Sequence, residues 1–443
     1  MKIPVTPPAF GSLFDAHAGQ FARLLQLRIG PEVRGKYEHW DHLRHLPPPD
    51  GLSSEQWWLA IKLARMTAAR DLPLVDREGR PFRVALTDSI AEKLHTITRE
   101  CSGSLRGLTS IADERAKERF LIRSQIEEAM TSSQLEGAGT TTAVAKEMLR
   151  SGRSPRDHGE RMIHNNYLAM QALKRWRDQP LTPEAVFEIH QLLTADTLRD
   201  PAQAGRFRTT ADNIVVQDET GRVLHIPPHA DELPARLQAL CDFANGMHEN
   251  GFLHPVVRAI ALHFQIGYDH PFCDGNGRTA RTLFYWSMLR SGYWLTEFLS
   301  VSSVFKRAKA QYLRAYLYTE TDEADLGYFV DHHLDVILGA IDGLHGWLAR
   351  KADERNRAEG MLRPGSRLGG RLNHRQRELL LDAVRHPHKH YRIDRHMQIQ
   401  DISYQTARSD LLALVELKLM RKQRIGKAFV FTPQADLVEK LKK

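Results

Sequence analysis

Apolar side chains recur at intervals of three and four residues along most of the chain between about Asp88 and Arg350. The clearest stretch runs from Val256 to Tyr268. Its repeating apolar positions are Val257, Ile260, Ala261, Phe264 and Tyr268. Because an α-helix completes a turn every 3.6 residues, this spacing places these side chains on one face. The pattern therefore predicts a mainly α-helical fold for the central part of the chain.

One central segment departs from the helical pattern. Residues 213–226, with the sequence NIVVQDETGRVLHI, contain two short runs rich in β-branched side chains on either side of a D-E-T-G turn. Such runs flanking a turn signal are typical of a β-hairpin. We therefore expect a short hairpin inside an otherwise helical region.

Residues 1–95 make up an N-terminal region in which helical spacing returns at 53–70, with Ser54 as a candidate N-cap. The apolar positions of this segment are Leu59, Leu63 and Met66. The spacing predicts a mostly helical region with one face available for burial. No residue pattern here indicates chemistry, and the tryptophans are expected to belong to the core.

The C-terminal part begins with residues 351–372, which are charged and then rich in Gly, Pro and Ser, a composition typical of a linker. Three helices are predicted after it, at 375–384, at 393–400 and, behind Ser403 as N-cap, at 404–419. Two short strands follow around Gly426. Three short helices and a two-stranded wing resemble a winged-helix domain, which we place at 373–443.

The charge of the chain is concentrated at its C-terminal end. The chain has 443 residues, a length that favours two or three domains. Its net charge is +8. Residues 361–443 contain 18 Lys and Arg against 8 Asp and Glu, so the rest of the chain is close to neutral. This asymmetry indicates a local face that binds a polyanion.

Cysteine content and hydropathy indicate the cellular compartment in which the protein is expected. The three cysteines are odd in number and far apart, which argues against a disulfide framework and favours a reducing cytosol. No apolar run approaches the roughly 18 residues that a membrane span needs. The first residues lack the pattern of a secretory signal. We therefore expect a cytoplasmic protein with no membrane partner.

The strongest chemical signal is the segment HPFCDGNGRTAR at 270–281. Pro271 disfavours a helical backbone at His270, so the preceding helix is expected to stop there. A Gly-Asn-Gly turn then leads into a second helix, predicted at 278–290. Two glycines can turn consecutive backbone N–H groups toward one point, and a helix N-terminus adds a positive dipole. The segment therefore predicts an anion site.

Charged side chains complete this predicted site. Arg278 and Arg281 stand three residues apart, so both guanidinium groups can reach the same side, and their geometry suits phosphate. The Asp274 carboxylate is placed to hold Mg²⁺ shared with phosphate oxygens. His270 lies beside the bound phosphate as a general base for an attacking hydroxyl. We infer a nucleotide-phosphate and Mg²⁺ site that transfers part of a nucleotide to a protein hydroxyl.

The same segment resembles the signature of the Fic family, His-x-Phe-x-Asp/Glu-Gly-Asn-Gly-Arg-x-x-Arg, at every defining position. The resemblance extends over at least 184–338. It implies a helical Fic catalytic core, placed at 151–350, with a short β-hairpin flap. It also implies a reaction that moves AMP from the substrate ATP to a Ser, Thr or Tyr hydroxyl and releases pyrophosphate.

The resemblance implies a role for each residue of the loop. His270 is the base toward the target hydroxyl, and Phe272 is buried to anchor the loop. Asp274 is the Mg²⁺ ligand. The anion hole and the phosphate arginines correspond to Gly275, Asn276, Gly277, Arg278 and Arg281.

Two further elements are similar to the family. Residues 205–208, GRFR, precede the hairpin as they precede the family's flap, which pairs with an extended target segment by strand addition. The expected docking residues are Asn213, Ile214, Val215 and Val216. A plain surface hairpin is the alternative. Tyr312 lies in the helix that borders the adenine, but Thr319 or Glu320 occupies the region of a frequent Asn, which leaves base choice open.

Residues 96–150 contain a segment that matches the family's inhibitory pattern, Ser/Thr-x-x-x-Glu-Gly/Asn. The matching residues are Ser132, Glu136 and Gly137, at the end of a helix predicted at 119–135. In the family this Glu pairs with the second loop arginine, here Arg281, in the place of the γ-phosphate. ATP then binds misaligned, which impairs in-line attack. The alternatives are a helix C-terminus with a solvated Glu136, or a Glu that positions water to remove AMP.

The basic C-terminal domain suggests a second class of function. Its candidate DNA contacts are Tyr404, Gln405 and Arg408 on the recognition-like helix, with Arg424 and Lys427 on the wing. Homodimerisation or target docking through the same domain is the alternative. We therefore consider an autoinhibited protein adenylyltransferase, a DNA-binding regulator whose Fic domain senses nucleotide, and transfer of another group such as UMP or phosphate.

Overall fold

The computed structural model describes residues 2–49, 51–102, 114–247, 251–362, 369–387, 389–425 and 428–441. The chain folds into two compact units. In the described ranges, the first comprises the residues up to Ser102 and Arg115–Asp342, and the second comprises Glu114 and the residues from Gly343 onward. The fold is mainly helical, and the strands in the described ranges form three separate antiparallel hairpins. The predicted fold class is therefore confirmed. Within these ranges, no helix combines the length and the apolar character that a membrane span requires.

The helices are numbered in chain order. Those before the central hairpin are α1 (Phe10–His17), α2 (Phe21–Gln26), α3 (Trp40–Leu43), α4 (Ser54–Ala68), α5 (Asp88–Ser102), α6 (Glu114–Leu135), α7 (Thr142–Ser151), α8 (His158–Trp176) and α9 (Pro183–Thr194). Those after it are α10 (Leu233–Ala244), α11 (Pro255–Asp269), α12 (Asn276–Arg290), α13 (Val301–Arg307), α14 (Lys309–Thr321) and α15 (Gly327–Met361). The N-terminal and central hairpins pair β1 (Ala69–Val75) with β2 (Pro81–Ala85) and β3 (Val216–Gln217) with β4 (Val223–His225).

The N-terminal region differs from its prediction in two ways. The N-cap of α4 is Ser53 rather than Ser54, because Ser53 and Gln56 exchange side-chain-to-backbone hydrogen bonds in a capping box. The region also contains the β1–β2 hairpin, which the sequence pattern did not reveal. The β1 sequence ARDLPLV contains Ala, Asp and Pro, which are poor strand formers, so tertiary burial of its leucines decides the conformation.

Buried charges fasten the N-terminal region to the loop that joins α14 to α15. The Lys62 ammonium lies 2.8 Å from Asp322, and the Arg65 guanidinium donates to the Tyr328 hydroxyl at 2.6 Å. All four residues are buried. Removal of one member of a buried ion pair leaves an uncompensated charge, so these contacts hold the end of α14 in one position.

Helices α11 and α12 form the centre of the first unit, where Val257, Ile260 and Leu283 are fully buried. Helix α11 ends before His270, as predicted. His270 nevertheless adopts a left-handed conformation with φ of 46°, not the extended conformation expected before a proline. Helix α12 begins at Asn276, two residues earlier than predicted, because Gly275 with φ of 85° acts as its N-cap.

The second unit contains helices α16 (His374–Arg385), α17 (Ile393–Gln400) and α18 (Tyr404–Glu416), the β5–β6 hairpin (Met420–Ile425 with Ala428–Pro433), and α19 (Leu437–Leu441). The predicted order of three helices and two strands is present, with Ser403 capping α18. Part of the expected linker is helical, since α15 continues to Met361. A highly charged composition also occurs in helices, so composition alone does not separate a helix from a linker.

Candidate active site

The loop between α11 and α12 is held in shape by its own side chains. The Asn276 amide accepts from the backbone N–H of Phe272 at 2.9 Å and donates to its carbonyl at 2.8 Å. Phe272 is fully buried and stacks on His190, with ring centroids 3.8 Å apart. These contacts close the loop into one conformation, so its backbone N–H groups face a fixed direction.

His190 supports this loop from α9. Its Nε2–H donates to the Asp274 carbonyl at 2.9 Å, and its Nδ1 accepts from the backbone N–H of Gly205. Burial lowers the pKa of His190 to about 4, in agreement with a neutral ring that donates at one nitrogen and accepts at the other. This supporting role was not predicted, because a single His on a helix has no local signature.

Arg208, the last residue of the GRFR segment, braces the same loop. Its guanidinium donates to the carbonyls of His270 at 2.8 Å and Pro228 at 2.6 Å, and its backbone N–H donates to the carbonyl of Pro271. The left-handed backbone at His270 is therefore supported by a buried cation. The sequence indicated GRFR only as a segment that precedes the flap.

His270 has a defined proton arrangement. Its Nδ1 lies 3.2 Å from the Gly267 carbonyl, and a carbonyl can only accept, so Nδ1 carries the proton and Nε2 has a free lone pair in the neutral ring. Burial is the main cause that lowers the pKa of His270 to about 4. The ring is therefore neutral at pH 7 and can accept a proton at Nε2.

Arg281 is enclosed by the segment that matches the inhibitory pattern. Its Nε donates to the Ser132 hydroxyl at 2.8 Å, and its Nη2 donates to the Ser132 carbonyl at 3.0 Å and to Glu136 Oε1 at 2.7 Å. Burial raises the pKa of Glu136, but the attraction of Arg281 is stronger in total and holds it below its ordinary value. Gly137, with φ of 95°, turns the chain directly after this contact.

Glu136 also approaches the backbone at the start of α12. A Cβ at Gly277 would clash with Glu136 Oε1, so the carboxylate occupies the space next to the first turn of α12. The structure thus brings His270, Gly277, Arg281 and Glu136 to one place, although Glu136 is 145 residues from Arg281 in sequence.

Arg278 and Asp274 have different environments. Arg278 is fully buried and donates to the Leu193 carbonyl at 2.9 Å, so its guanidinium does not share the direction expected from its spacing to Arg281. The Asp274 side chain is 53% exposed, with one oxygen 3.5 Å from Arg278 and the other accepting from the Gly275 N–H. The role of Arg278 toward phosphate stays a prediction.

Asp274 provides one accessible carboxylate for a cation. In the described parts of the chain, no group of three or more His, Cys, Asp or Glu could hold a metal by itself. Mg²⁺ commonly takes one or two carboxylates and completes its shell with phosphate oxygens and water. The residues present therefore fit a Mg²⁺ ion that arrives with a phosphate ligand.

A cavity lies between the loop, helix α14 and the central hairpin. Its described lining residues are Glu136, Val216, Leu224, His225, Gly267, Tyr268, His270, Gly277, Arg281, Tyr312, Leu313, Tyr316, Leu317 and Glu320. The His270 imidazole, the Gly277 backbone and the Arg281 guanidinium form one part of this wall, and aromatic and aliphatic side chains form much of the remainder. This composition suits a ligand with an anionic end and a flat apolar end.

Some of the residues predicted for the flap and for the adenine side line the cavity, and others do not. Val216 is in β3 and lines the cavity, whereas 213–215 precede the strand, with Asn213 in a left-handed conformation. Tyr312 lines the cavity, and its hydroxyl lies 2.8 Å from His263 Nε2. Of the two residues considered in place of Asn, Thr319 is fully buried and donates to the Ala315 carbonyl, while Glu320 lines the cavity.

The residues considered for DNA are in the second unit. Tyr404, Gln405 and Arg408 are exposed at the start of α18, and Arg424 is exposed on β5. Lys427 lies outside the described residues. The structure therefore places four of the five predicted contacts on exposed surface.

The loop at 270–281 lies within the part of the chain that matches a known protein family. The model of the Fic/DOC family matches residues 180–288. Two curated relatives, each named protein adenylyltransferase Fic, come from Nematostella vectensis (30% identity, covering 35% of this chain and 34% of the relative) and Drosophila grimshawi (32% identity, 35% and 30%). The chain thus spans about a third of the length of these relatives.

A solved structure of a Fic family protein from Desulfovibrio desulfuricans G20 is similar in fold. It has 19% sequence identity and a TM-score of 0.51, and the match covers 79% of this chain and 97% of that chain. The likeness supports the helical architecture around the site. Residues 180–288 thus match the Fic/DOC family, and the solved structure shares the fold around them.

Proposed function

From this match to the Fic/DOC family, we propose that the chain transfers AMP from ATP to a Ser, Thr or Tyr hydroxyl of a protein, including itself, and that Glu136 restrains the transfer. The observation that carries the proposal is a single cavity that combines the His270 imidazole, the N-terminus of α12 and Arg281 with a carboxylate on that arginine. The named relatives that act as adenylyltransferases support the choice of AMP.

His270 acts as the general base in this proposal. Its Nε2 lone pair takes the proton of the target hydroxyl while the hydroxyl oxygen forms a bond to the α-phosphorus. The bond between the α-phosphorus and the bridging oxygen of the β-phosphate breaks, and pyrophosphate leaves. The neutral state of the buried ring at pH 7 keeps the lone pair available.

The N-terminus of α12 and Arg281 hold the phosphates. Backbone N–H groups at Asn276 and Gly277 and the helix dipole stabilise the negative charge that develops during transfer, while the Gly275 N–H is bonded to Asp274. Asp274 would hold Mg²⁺, which when bound neutralises phosphate charge. Asn276 contributes through the shape of the loop, since its side chain is used in bonds to Phe272.

Glu136 restrains this site by occupying Arg281. The carboxylate satisfies the charge that would otherwise bind a terminal phosphate, and Ser132 holds the same guanidinium from a second side. ATP must displace Glu136 or bind with its α-phosphate out of line, and misalignment reduces the rate of in-line attack more than it reduces binding.

The target segment is proposed to add as a strand to the flap. Ile214 and Val215 precede β3 outside the hydrogen-bonded ladder, which begins at Val216, so their backbone groups can pair with an extended peptide. Asn213 ends the preceding turn, since its backbone N–H donates to the Thr210 carbonyl. Val215 is 37% exposed and offers an apolar contact to that peptide.

Intact-mass analysis of the full chain tests the proposal. The wild type, Glu136→Gly and His270→Ala are each incubated with Mg²⁺ and one of the four NTPs. We expect one or more AMP additions on Glu136→Gly with ATP, at least tenfold more than on the wild type, and none on His270→Ala. His229→Ala, at an exposed histidine, is the matched control and should behave as the wild type.

Other outcomes would contradict parts of the proposal. Addition of UMP or phosphate would show that the transferred group is not AMP. Transfer that survives His270→Ala would contradict the role of His270 as general base. Removal of AMP from a modified Glu136→Gly protein by the wild type, but not by a Glu136 variant, would make Glu136 a residue that positions water for hydrolysis.

We also propose, as a second function, that the second unit binds DNA. The supporting observation is the exposure of Tyr404, Gln405 and Arg408 on the first turns of α18, next in sequence to a hairpin whose residues 421–424 are all exposed and mostly basic. A gel shift of the full chain on random-sequence DNA at two salt concentrations tests this. We expect Arg408→Ala to weaken binding and Arg385→Ala, paired with Glu359, to leave it unchanged. Absence of a shift at low salt would exclude the function.

A further inference from the structure

Helix α14 presents a row of side chains to the cavity. Tyr312, Tyr316 and Glu320 follow one another at intervals of four residues, so they share one face. Tyr312 interacts electrostatically with Arg281, at the phosphate end of the site. Glu320 is eight residues further along, about 12 Å along the helix axis. Its carboxylate therefore lies at the end of the cavity away from the phosphate-binding arginine.

The carboxylate of Glu320 is fixed on one side only. His225, from β4, has its Nδ1 2.7 Å from Glu320 Oε2, and its Nε2–H donates to the Tyr268 carbonyl at 2.7 Å. Within the described part of the chain, no hydrogen bond reaches Glu320 Oε1, and the side chain is 20% exposed. One oxygen is thus held in place, and the other can accept a hydrogen bond from a ligand.

The surrounding wall determines what that ligand group can be. Val216 and Leu224 of the hairpin and Leu313 and Leu317 of α14 are apolar, so they suit the faces of a flat ring. A carboxylate can only accept hydrogen bonds from such a ring. In adenine, the base of the proposed substrate, the exocyclic amino group is the N–H donor, whereas guanine and uracil also donate through a ring N–H.

We infer that Glu320 recognises the exocyclic amino group of the nucleobase and thereby favours ATP over a purine nucleotide without that group. The inference rests on the proposed function, since it assigns the base end of the same site. Thr319 cannot serve this purpose, because its hydroxyl is fully buried and bonded to the Ala315 carbonyl. The His225 contact makes Glu320 a rigid acceptor, which increases discrimination between bases.

Nucleotide binding by a variant that cannot react tests the inference. The full chain with Glu136→Gly and His270→Ala is titrated calorimetrically with ATP and with purine riboside triphosphate, which lacks only the 6-amino group. We expect ATP to bind about tenfold more tightly, since a hydrogen bond to a charged group is worth at least about 1.4 kcal/mol, which is tenfold in affinity. Addition of Glu320→Ala should bring the ratio of the two affinities close to one.

The ratio distinguishes base recognition from a structural role of the His225–Glu320 pair. If Glu320→Ala weakens both nucleotides in parallel and the tenfold ratio persists, the carboxylate only holds the hairpin and the inference is wrong. Glu323→Ala, which changes a carboxylate three residues away that faces Lys62, is the matched control and should keep the ratio. Failure of ATP to bind before Glu320 is changed would overturn the proposed function as well.

Discussion

At the scale of single residues, the Arg281 guanidinium donates hydrogen bonds to a short segment at the C-terminal end of α6. Ser132 and Glu136 together satisfy Nε and Nη2, and the guanidinium is only 2% exposed. A buried cation of this kind requires a partner, because an unpaired charge in a protein interior is costly. The carboxylate and the phosphate of a nucleotide are two alternative partners for the same group.

Glu136→Gly should therefore lower the stability of the free protein and increase the stabilisation that ATP provides. Without ATP, the loss of one partner of Arg281 should lower the free energy of unfolding by about 1–3 kcal/mol. With ATP and Mg²⁺, the phosphate replaces the carboxylate, so the rise in melting temperature should exceed that of the wild type. Differential scanning fluorimetry with and without ATP measures both effects.

Glu136→Gln is the graded control for this prediction, since the amide oxygen keeps a hydrogen bond to Arg281 but loses the charge. Its melting temperature should lie between those of the wild type and Glu136→Gly. An equal ATP-induced rise in all three proteins would mean that Glu136 and phosphate do not compete for Arg281.

At the scale of elements, α6 is held by a second carboxylate one turn before Ser132. Glu128 is buried and accepts from the Ser300 hydroxyl at 2.9 Å, the Ser302 N–H at 3.0 Å and the Ser302 hydroxyl. These donors are at the N-terminus of α13, where a negative charge is favoured by the helix dipole. Glu128, Ser132 and Glu136 are four residues apart, so one face of α6 holds both α13 and Arg281.

Glu128→Ala should loosen α6 and release part of the restraint on the site. We expect transfer of AMP to rise severalfold, but to remain below that of Glu136→Gly, because Ser132 and Glu136 are still present. In the double variant with Glu136→Gly, the second change should add little, since both act on one contact. Initial rates with labelled ATP measure this, and Glu127→Ala, at the neighbouring position, is the control.

Two results would contradict this role of α6. One is an unchanged rate for Glu128→Ala in a protein whose melting temperature shows that the contact with α13 has been lost. The other is an independent gain in the double variant, which would mean that Glu128 acts at a step separate from Arg281.

At the scale of the whole molecule, several histidines are buried in the first unit and have depressed pKa values caused mainly by burial. They are His39, His190, His263, His270, His332 and His333. For His39, His190, His270 and His332 the pKa is lowered to about 4. The unfolded chain binds protons at these groups from about pH 6.5 downward, whereas the folded chain does not, so acid favours unfolding.

Stability should therefore fall steadily between pH 6.5 and pH 4. At pH 5, each histidine with a folded pKa near 4 should have removed about 2 kcal/mol of the stability present at pH 7. Urea unfolding at pH 7, 6 and 5, followed by circular dichroism, measures the decrease. We expect the largest change below pH 6.5 and a plateau above it.

His332→Phe tests the cause of this pH dependence. The His332 Nε2 is buried without a hydrogen-bond partner in the described structure, so an apolar ring loses no bond there. The variant should lose less stability between pH 7 and pH 5 than the wild type, by about 2 kcal/mol. An identical pH dependence in both proteins would assign acid unfolding to other groups.

The local features of this protein follow from short stretches of its sequence. The three- and four-residue repeats predicted α11 because a helix buries one face, and Pro271 and the glycines marked where α11 ends and α12 begins. The loop signature and the inhibitory pattern were readable because each occupies only a few consecutive positions. The β1–β2 hairpin was missed because its residues have weak strand propensity and are held by burial.

Packing between distant segments determines which of these features come into contact. The spacing of Arg278 and Arg281 permits both side chains to lie on a common side, but their directions differ. The Arg278 guanidinium donates to the Leu193 carbonyl, whereas that of Arg281 donates to Ser132 of α6. Glu320 is separated from His225 by 95 residues, and no local pattern selects it over Thr319. The contacts that restrain the site and those proposed to read the base arise from packing between distant segments, which sequence spacing alone does not specify.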